Sequence, residues 1–216
     1  MRRKSCPYWP KEKKNTAMAI ARHPDTDTLA SMLSRAFFHD PLFVYFFPDD
    51  KKRETLCWYT FRYMLTHGHN KGEVVVTDNG QDGAAIWSPS GTMRYGLLDL
   101  LRYGAIRGSL RQGPAALLRQ LKALDIMQAM HKSIITEPHY YLAALGVEPN
   151  KHGQGLGSAL LRPTLATLDS QGLPAYLDTH NENNVSLYRR FGFEIVHHGY
   201  LPGGSVMHWA MLRLPR

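Results

Sequence analysis

The chain has 216 residues, 44% apolar and 20% charged, with a net charge of +8. That composition excludes disordered, collagen-like and acidic-tail proteins, and the length favours one domain or at most two. The longest apolar stretch, Ala36 to Pro48, is broken by His39, Asp40 and Pro41, so it falls short of the roughly 20 apolar residues that a membrane-spanning helix takes.

The charge is uneven. The first 15 residues hold six Lys or Arg against Glu12 alone, and the body that follows is only mildly basic. This reads as a solvated basic tail over 1–15 ahead of a single domain over 16–216. The body has no charge field that demands nucleic acid. No apolar segment follows the basic residues as in a secretory signal, and Pro7 and Pro10 spoil the amphipathic helix of a transit peptide. Cys6 and Cys57 sit in no metal or redox spacing, which fits a reducing, cytoplasmic compartment. Among the histidines only His67 with His69 and His197 with His198 cluster, without a third ligand at a recognisable spacing, so no metal is expected.

Along the chain, Ala17 to Ala21 reads as a short strand. Pro24, Asp25 and Asp27 then open a helix whose apolar face is Leu29, Met32, Leu33, Ala36 and Phe37. Asp40-Pro41 ends it. An aromatic loop follows (Phe43, Tyr45, Phe46, Phe47), expected to line an acceptor site together with residues 89–137. Asp49 and Asp50 favour the start of a second helix carrying Leu56, Cys57, Phe61, Met64 and Leu65. Glu73 to Thr77 and Ala84 to Trp87 form a hairpin. Residues 89–137 are an insertion punctuated by Gly96, Gly104, Gly108 and Gly113-Pro114, with one good helix through Leu117, Leu121, Leu124 and Met127. Tyr140 to Val147 is a strand covered on both faces. A helix over 155–169 has Leu156, Leu160, Leu165 and Leu168 at core spacing and a kink expected at Pro163. Pro174 to Thr179 is a strand, and Asn184 to Phe191 a short helix stopped by Gly192. Phe193 to Tyr200 and Ser205 to Arg213 flank Pro202-Gly203-Gly204 as a strand pair. Helices between strands make this an α/β chain with a mixed sheet.

The chemistry concentrates in Val147-Glu148-Pro149-Asn150-Lys151-His152-Gly153-Gln154-Gly155-Leu156-Gly157-Ser158. A strand runs into a Gly-rich loop that opens a helix. Backbone N–H groups at such a helix start favour an anion, and the glycines allow a close approach, so a pyrophosphate ligand is the physical inference. One candidate is a dinucleotide, because Asp178 follows Gly157 by about the 20 residues of that fingerprint. A NAD(P)-binding oxidoreductase is therefore an alternative. Its spacing is wrong, however, with Ser158 where the third glycine belongs, and too few residues remain after Asp178 for a doubly wound sheet. The triphosphatase loop is absent.

Two pieces resemble the GNAT N-acetyltransferase family, which binds acetyl-coenzyme A. One is Val147-x-Pro149 with His152-Gly153-Gln154-Gly155-Leu156-Gly157, similar to that family's Q/R-x-x-G-x-G/A loop. The other is Asn181-Glu182-Asn183-Asn184-Val185-Ser186-Leu187-Tyr188-x-x-x-Gly192-Phe193, similar to N-x-x-A-x-x-L-Y-x-x-x-G-F. The resemblance covers roughly residues 138–213. It implies a mostly antiparallel central sheet flanked by helices, with a helical insertion between the third and fourth strands. It implies that main-chain groups of Leu145, Gly146 and Val147 meet the pantetheine arm. Residues His152, Gly153, Gln154, Gly155, Leu156, Gly157 and Ser158 would hold the pyrophosphate, Asn181 and Asn184 would touch the coenzyme arm, and Tyr188 would stand near the thioester sulfur.

The implied reaction is acetyl transfer to an amine of a small molecule or peptide by direct attack in a ternary complex. Tyr188 would protonate the leaving thiolate and a strand N–H between Ala143 and Leu145 would hold the oxyanion. Candidates for the base are His139, placed by simple alternation on the face of Ala143 and Leu145, and Asp178, which also suits an amine anchor. Glu137 lies just ahead of the strand. No nucleic-acid or membrane partner is expected, a homodimer stays open, and an inactive acyl-coenzyme A-binding module is the other alternative.

Overall fold

The computed structural model describes residues 25–92, 105–201, 204 and 206–216. The strand expected at Ala17–Ala21, the basic tail, the Gly96–Gly104 part of the insertion, and Pro202, Gly203 and Ser205 of the last turn lie outside these residues.

Helix α1 (Thr26–Ala36) is capped by Asp25, whose carboxylate accepts from Asp27 N. It buries Leu29, Ala30, Met32 and Leu33. The aromatic segment that follows is not a loop. Pro41–Phe46 is a short helix, α2, with Pro41 in its first turn and Asp40 as its cap. Phe43, Phe46 and Phe47 are buried there against Phe37 and Phe61, so these aromatics form core and not an open binding surface. Proline preset for the first helical turn and an Asp cap outweigh the turn signal that Asp-Pro otherwise carries. Helix α3 (Asp50–Lys71) begins at the Asp49 cap.

Strands β1 (Glu73–Val76) and β2 (Gly83–Pro89) pair antiparallel as a hairpin. Helix α4 (Ala105–Ile134) is broken at Gly113, which has φ 78°. β3 (Tyr140–Val147) follows, then α5 (Leu156–Gln171), which runs on through Pro163. β4 (Ala175–Thr179), α6 (Glu182–Arg190), β5 (Glu194–Tyr200) and β6 (Met207–Arg213) complete the chain. The sheet order is β1-β2-β3-β4-β6-β5, and only β3 with β4 is parallel.

The two faces of this sheet bury different partners. Helices α1 to α4 cover Val74, Val76, Ala84, Ile86 and Ala144. Helices α5 and α6 cover Val75, Ala85, Trp87, Leu142 and Leu177. Period-two alternation along β1 and β2 produces this split. In β3 it is interrupted. Ile86 pairs with Ala144 but Trp87 pairs with Leu142, which leaves Ala143 as the extra residue of a β-bulge. The bulge turns the strand by one position, so Leu142 and Leu145 both pack toward α5 and α6. It also sits where β3 and β4 part, because their pairing stops at Leu142 and Leu177. Bulges bend a strand and increase its twist, and here that opens a cleft between two parallel strands.

Candidate active site

Register shows which main-chain groups face the cleft. Glu148 N donates to Asp82 O at 2.8 Å, on the β2 side. Gly146 pairs with Ala84 and Ala144 with Ile86, and antiparallel alternation gives them the same hydrogen-bonded orientation. The polar groups of Leu145 and Val147 therefore point away from β2, toward the opening. Gly146 is corrected by the same logic: its N–H belongs to the β2 ladder. A Cβ there would come within 2.4 Å of Leu33 Cδ2, so its bareness lets α1 lie against β3.

Beyond β3, a single 3-10 turn, Pro149–Lys151, leads to the Gly-rich loop. His152 Nε2 lies 3.0 Å from Val147 O. To bond a carbonyl, Nε2 must carry the ring proton, so this imidazole ties the loop back onto its own strand and its side chain is not turned outward to a phosphate. Gly153 and Gly155 have φ of 78° and 79°, a region that L side chains rarely adopt. Space around both is open to 4 Å. Gly155 is the cap of α5, without a side-chain capping bond. Ala159 N donates to Gly155 O, and the N–H groups before it, from Leu156 to Ser158, have no intrahelical acceptor. These residues fit a diphosphate: an open cradle, outward amides and a helix start. Gly155→Val should raise the dissociation constant for acetyl-coenzyme A at least about tenfold, or about 1.4 kcal/mol. Titration calorimetry checks this, and unchanged affinity would make the loop a bare turn.

Next to Ser158 is a hollow of about 500 Å³ lined by Arg162, Arg190, Arg213 and Arg216. Arg213 is held bidentate by Asp169 at 2.8 and 2.7 Å. The arginines come from α5, α6, β6 and the C-terminus, so sequence spacing gives no sign of the cluster.

Asn181 caps α6, its side chain accepting from Asn183 N at 3.1 Å. Asn184 is partly buried one turn along. Tyr188 is buried, its ring edge-on to Phe193 at 5.9 Å. Burial, with Asp40 nearby, raises its hydroxyl well above the ordinary tyrosine value. Asp40 is pushed up to about 6 by burial, against hydrogen bonds from Leu42 N and Phe43 N. From sequence alone Asp40 has only a helix-end role.

The opposite face of the cleft carries a polar cluster. Asp178 accepts from Tyr176 Oη at 2.9 Å and Tyr141 Oη at 3.2 Å. His208 Nε2 lies 3.2 Å from Asp178 Oδ1, off the line of a good hydrogen bond. His208 Nδ1 is 3.1 Å from His180 Nε2. His131 stacks on Tyr176 with centroids 4.0 Å apart. His139 is buried beside it, with Nε2 2.7 Å from His131 Nε2 and Nδ1 2.6 Å from Glu137 O. Both nitrogens of His139 are thus engaged, and the bulge at Ala143 separates its face from that of Leu145. That corrects its expected place on one face with Leu145. An open cavity of about 560 Å³ beside this pair is lined by Ser90, Gln128, His131, Lys132 and His139. Burial and the neighbouring His139 pull His131 down to about 4, against Asp178.

Comparison with known proteins agrees with this geometry. Residues 104–193 match the family model described as the acetyltransferase (GNAT) family. An uncharacterised N-acetyltransferase of Schizosaccharomyces pombe is 25% identical over 177 residues, 78% of this chain and 70% of that protein. Mycothiol acetyltransferase of Streptomyces avermitilis is 48% identical over 52 residues, which is 23% of this chain and 17% of that protein. A Corynebacterium glutamicum structure, described as histone acetyltransferase HPA2 and related acetyltransferase, superposes with a TM-score of 0.65 at 21% identity, covering 93% of this chain and 96% of that one. Among the described residues no helix is long and apolar enough to cross a membrane. A helix start with open left-handed glycines, set beside a split in a parallel strand pair, is thus found in a chain whose residues 104–193 match the acetyltransferase (GNAT) family model and whose fold is that of a solved acetyltransferase structure.

Proposed function

We propose that the acceptor is a primary amine of a small molecule, acetylated from acetyl-coenzyme A by direct attack in a ternary complex, in a reducing cytoplasmic setting. The observation that supports this best is the split between β3 and β4 after Leu142 and Leu177, which opens beside the glycine loop. Leu145 and Val147 offer main-chain groups to the pantetheine arm. Amides from Gly153 to Ser158, with Gln154 and Leu156 among them, hold the diphosphate. Arg162 and Arg190 suit the remaining phosphate charge, and Asn181 and Asn184 flank the arm. The thioester is already activated, so no covalent enzyme intermediate is required. Tyr188, kept protonated by burial, donates to the leaving thiolate. Ala143, in the bulge, or Leu145 supplies the N–H for the oxyanion.

Melting with saturating acetyl-coenzyme A or with NADH separates this reading from the oxidoreductase alternative. Only the first is expected to raise the melting temperature, by the linkage of a ligand that binds the folded state alone. Stabilisation by NADH without stabilisation by acetyl-coenzyme A would sink the proposal. Release of free thiol with a panel of amines then separates an enzyme from an inactive binding module.

A further inference from the structure

We propose that His180 takes the proton from the acceptor amine, with His208 and Asp178 behind it as positioning residues; this rests on the acetyl-transfer reading above. The place is right. Had β3 and β4 stayed paired beyond Leu142 and Leu177, Asp178 would lie opposite Ala143 and His180 opposite Leu145. Because the strands part there, His180 stands at the lip of the cleft. Alternation puts Tyr176, Asp178 and His180 on the face away from α5 and α6, and Tyr176 packs there with Tyr141 and Ala210. The amine can therefore approach on one face while the glycine loop holds the coenzyme from the other.

Proton positions follow from the contacts. Asp178 already accepts from Tyr141 and Tyr176, which fixes the carboxylate. His208 Nε2 lies 3.2 Å from Asp178 Oδ1, off the line of a good hydrogen bond but near enough that a bare lone pair would meet a carboxylate oxygen, so the relay places a proton there. With that proton on Nε2, the tautomer that lets the 3.1 Å contact between His208 Nδ1 and His180 Nε2 be a hydrogen bond from His180 has His208 bare at Nδ1. Neutral His180 in turn is bare at Nδ1. The chain of three groups leaves one basic nitrogen, and it belongs to His180. Sequence inspection does not find it, because Asp178, His180 and His208 fit no motif.

As the N–C bond to the acetyl carbon forms, the amine N–H bond breaks and its proton moves to His180 Nδ1. The imidazolium charge is balanced by Asp178 through His208. When the C–S bond breaks, the thiolate takes its proton from Tyr188, and the proton on His180 returns through solvent to the Tyr188 oxygen. The groups facing the relay are Asp178 and Tyr176 from β4, Tyr141 from β3, and His197 from β5, whose ring centroid is 6.5 Å from that of His208. Burial, then His208, pulls His180 down to about 4, against Asp178. Its Nδ1 is thus bare through the neutral range, and the acidic limb of kcat/KM should lie below that of an ordinary histidine.

Long-range proton–nitrogen NMR of the histidine rings in the full chain reads the tautomers directly. His180 protonated at Nε2 and bare at Nδ1 is expected, with that preference weakened in Asp178→Asn. A native His180 protonated at Nδ1 overturns the proposal. Thiol release from acetyl-coenzyme A is then followed with phenethylamine, putrescine and an alanyl tripeptide as probe acceptors. On the best of these, His180→Gln should lower kcat about 100-fold and remove the acidic limb, with acetyl-coenzyme A affinity unchanged; His180→Asn serves where the first variant does not fold. Native turnover in either variant overturns the relay and leaves acetyl transfer standing. If the native protein binds no acetyl-coenzyme A, the acetyl-transfer reading itself fails and the relay with it. If it binds but accepts none of the three amines, the tautomers decide.

Discussion

Tyr188→Phe is expected to lower the turnover number by about 10²-fold while the dissociation constant for acetyl-coenzyme A stays where it was. The substitution keeps a ring that is buried and edge-on to Phe193, so packing is preserved and one donor is lost. An interaction made only as the thioester breaks affects kcat and spares ground-state binding. General acid catalysis is worth about 10²–10⁴-fold, and the low end applies because a coenzyme A thiolate leaves tolerably without help. Asp40 tunes the same hydroxyl. With the raised tyrosine value, the basic limb that a donor of this kind produces lies above the ordinary tyrosine range near 10. Steady-state kinetics on the native protein and the variant, beside a coenzyme titration, check this. Equal turnover across pH would leave Tyr188 as a packed aromatic that marks the site.

Arg53→Met is expected to reduce folding stability by about 3 kcal/mol, the cost of leaving buried acceptors without a partner. Arg53 is only 3% exposed. Its guanidinium donates to Phe47 O at 2.7 Å, Pro48 O at 3.1 Å and Phe38 O at 3.3 Å, and it pairs with Asp50. It therefore closes both ends of the α2 segment on α3. Arg119 adds a bond to Phe46 O at 2.7 Å from α4. Methionine keeps much of the volume and removes every donor. In a chain of this length the loss corresponds to a fall in melting temperature of roughly 6–12 °C. Arg53→Lys keeps the charge but not the planar fork, so it should fall between. A Met variant melting within about 2 °C of the native protein would show that water replaces the side chain.

Neither of these two residues was equally legible. Tyr188 stands in a local motif with a stop at Gly192, and a short helix with one buried face carries it; the start at Glu182, capped by Asn181, two residues before the expected Asn184, came only with the structure. Arg53 is one more basic residue on a charged helix start, and only its neighbours in space reveal a hub. The same contrast holds for the elements. Apolar spacing in α1, α3 and α5 places their buried faces, because helical period is set within a few turns. Tyr140–Val147 reads as a doubly covered strand because no polar residue interrupts it. The aromatic segment misled because Asp-Pro can end one helix or cap the next, and the choice depended on what Phe43, Phe46 and Phe47 could bury against.

By itself the sequence determined the α/β order, the glycine loop with its need for φ above zero, and the ring and stop of α6. Each depends on residues within about one helical turn or one strand of one another, so local backbone preference and periodicity specify them. Only the tertiary structure decided the bulge at Ala143, and with it which amides face the cleft, why Gly146 belongs to α1 packing, and why His139 and Leu145 lie on opposite faces. One extra residue reverses every side chain beyond it, and pairing with β2 sets where that residue falls. The proximity of Asp178, His208 and His180 is likewise a product of the sheet: β4 and β6 must pair before residues from two distant segments can meet.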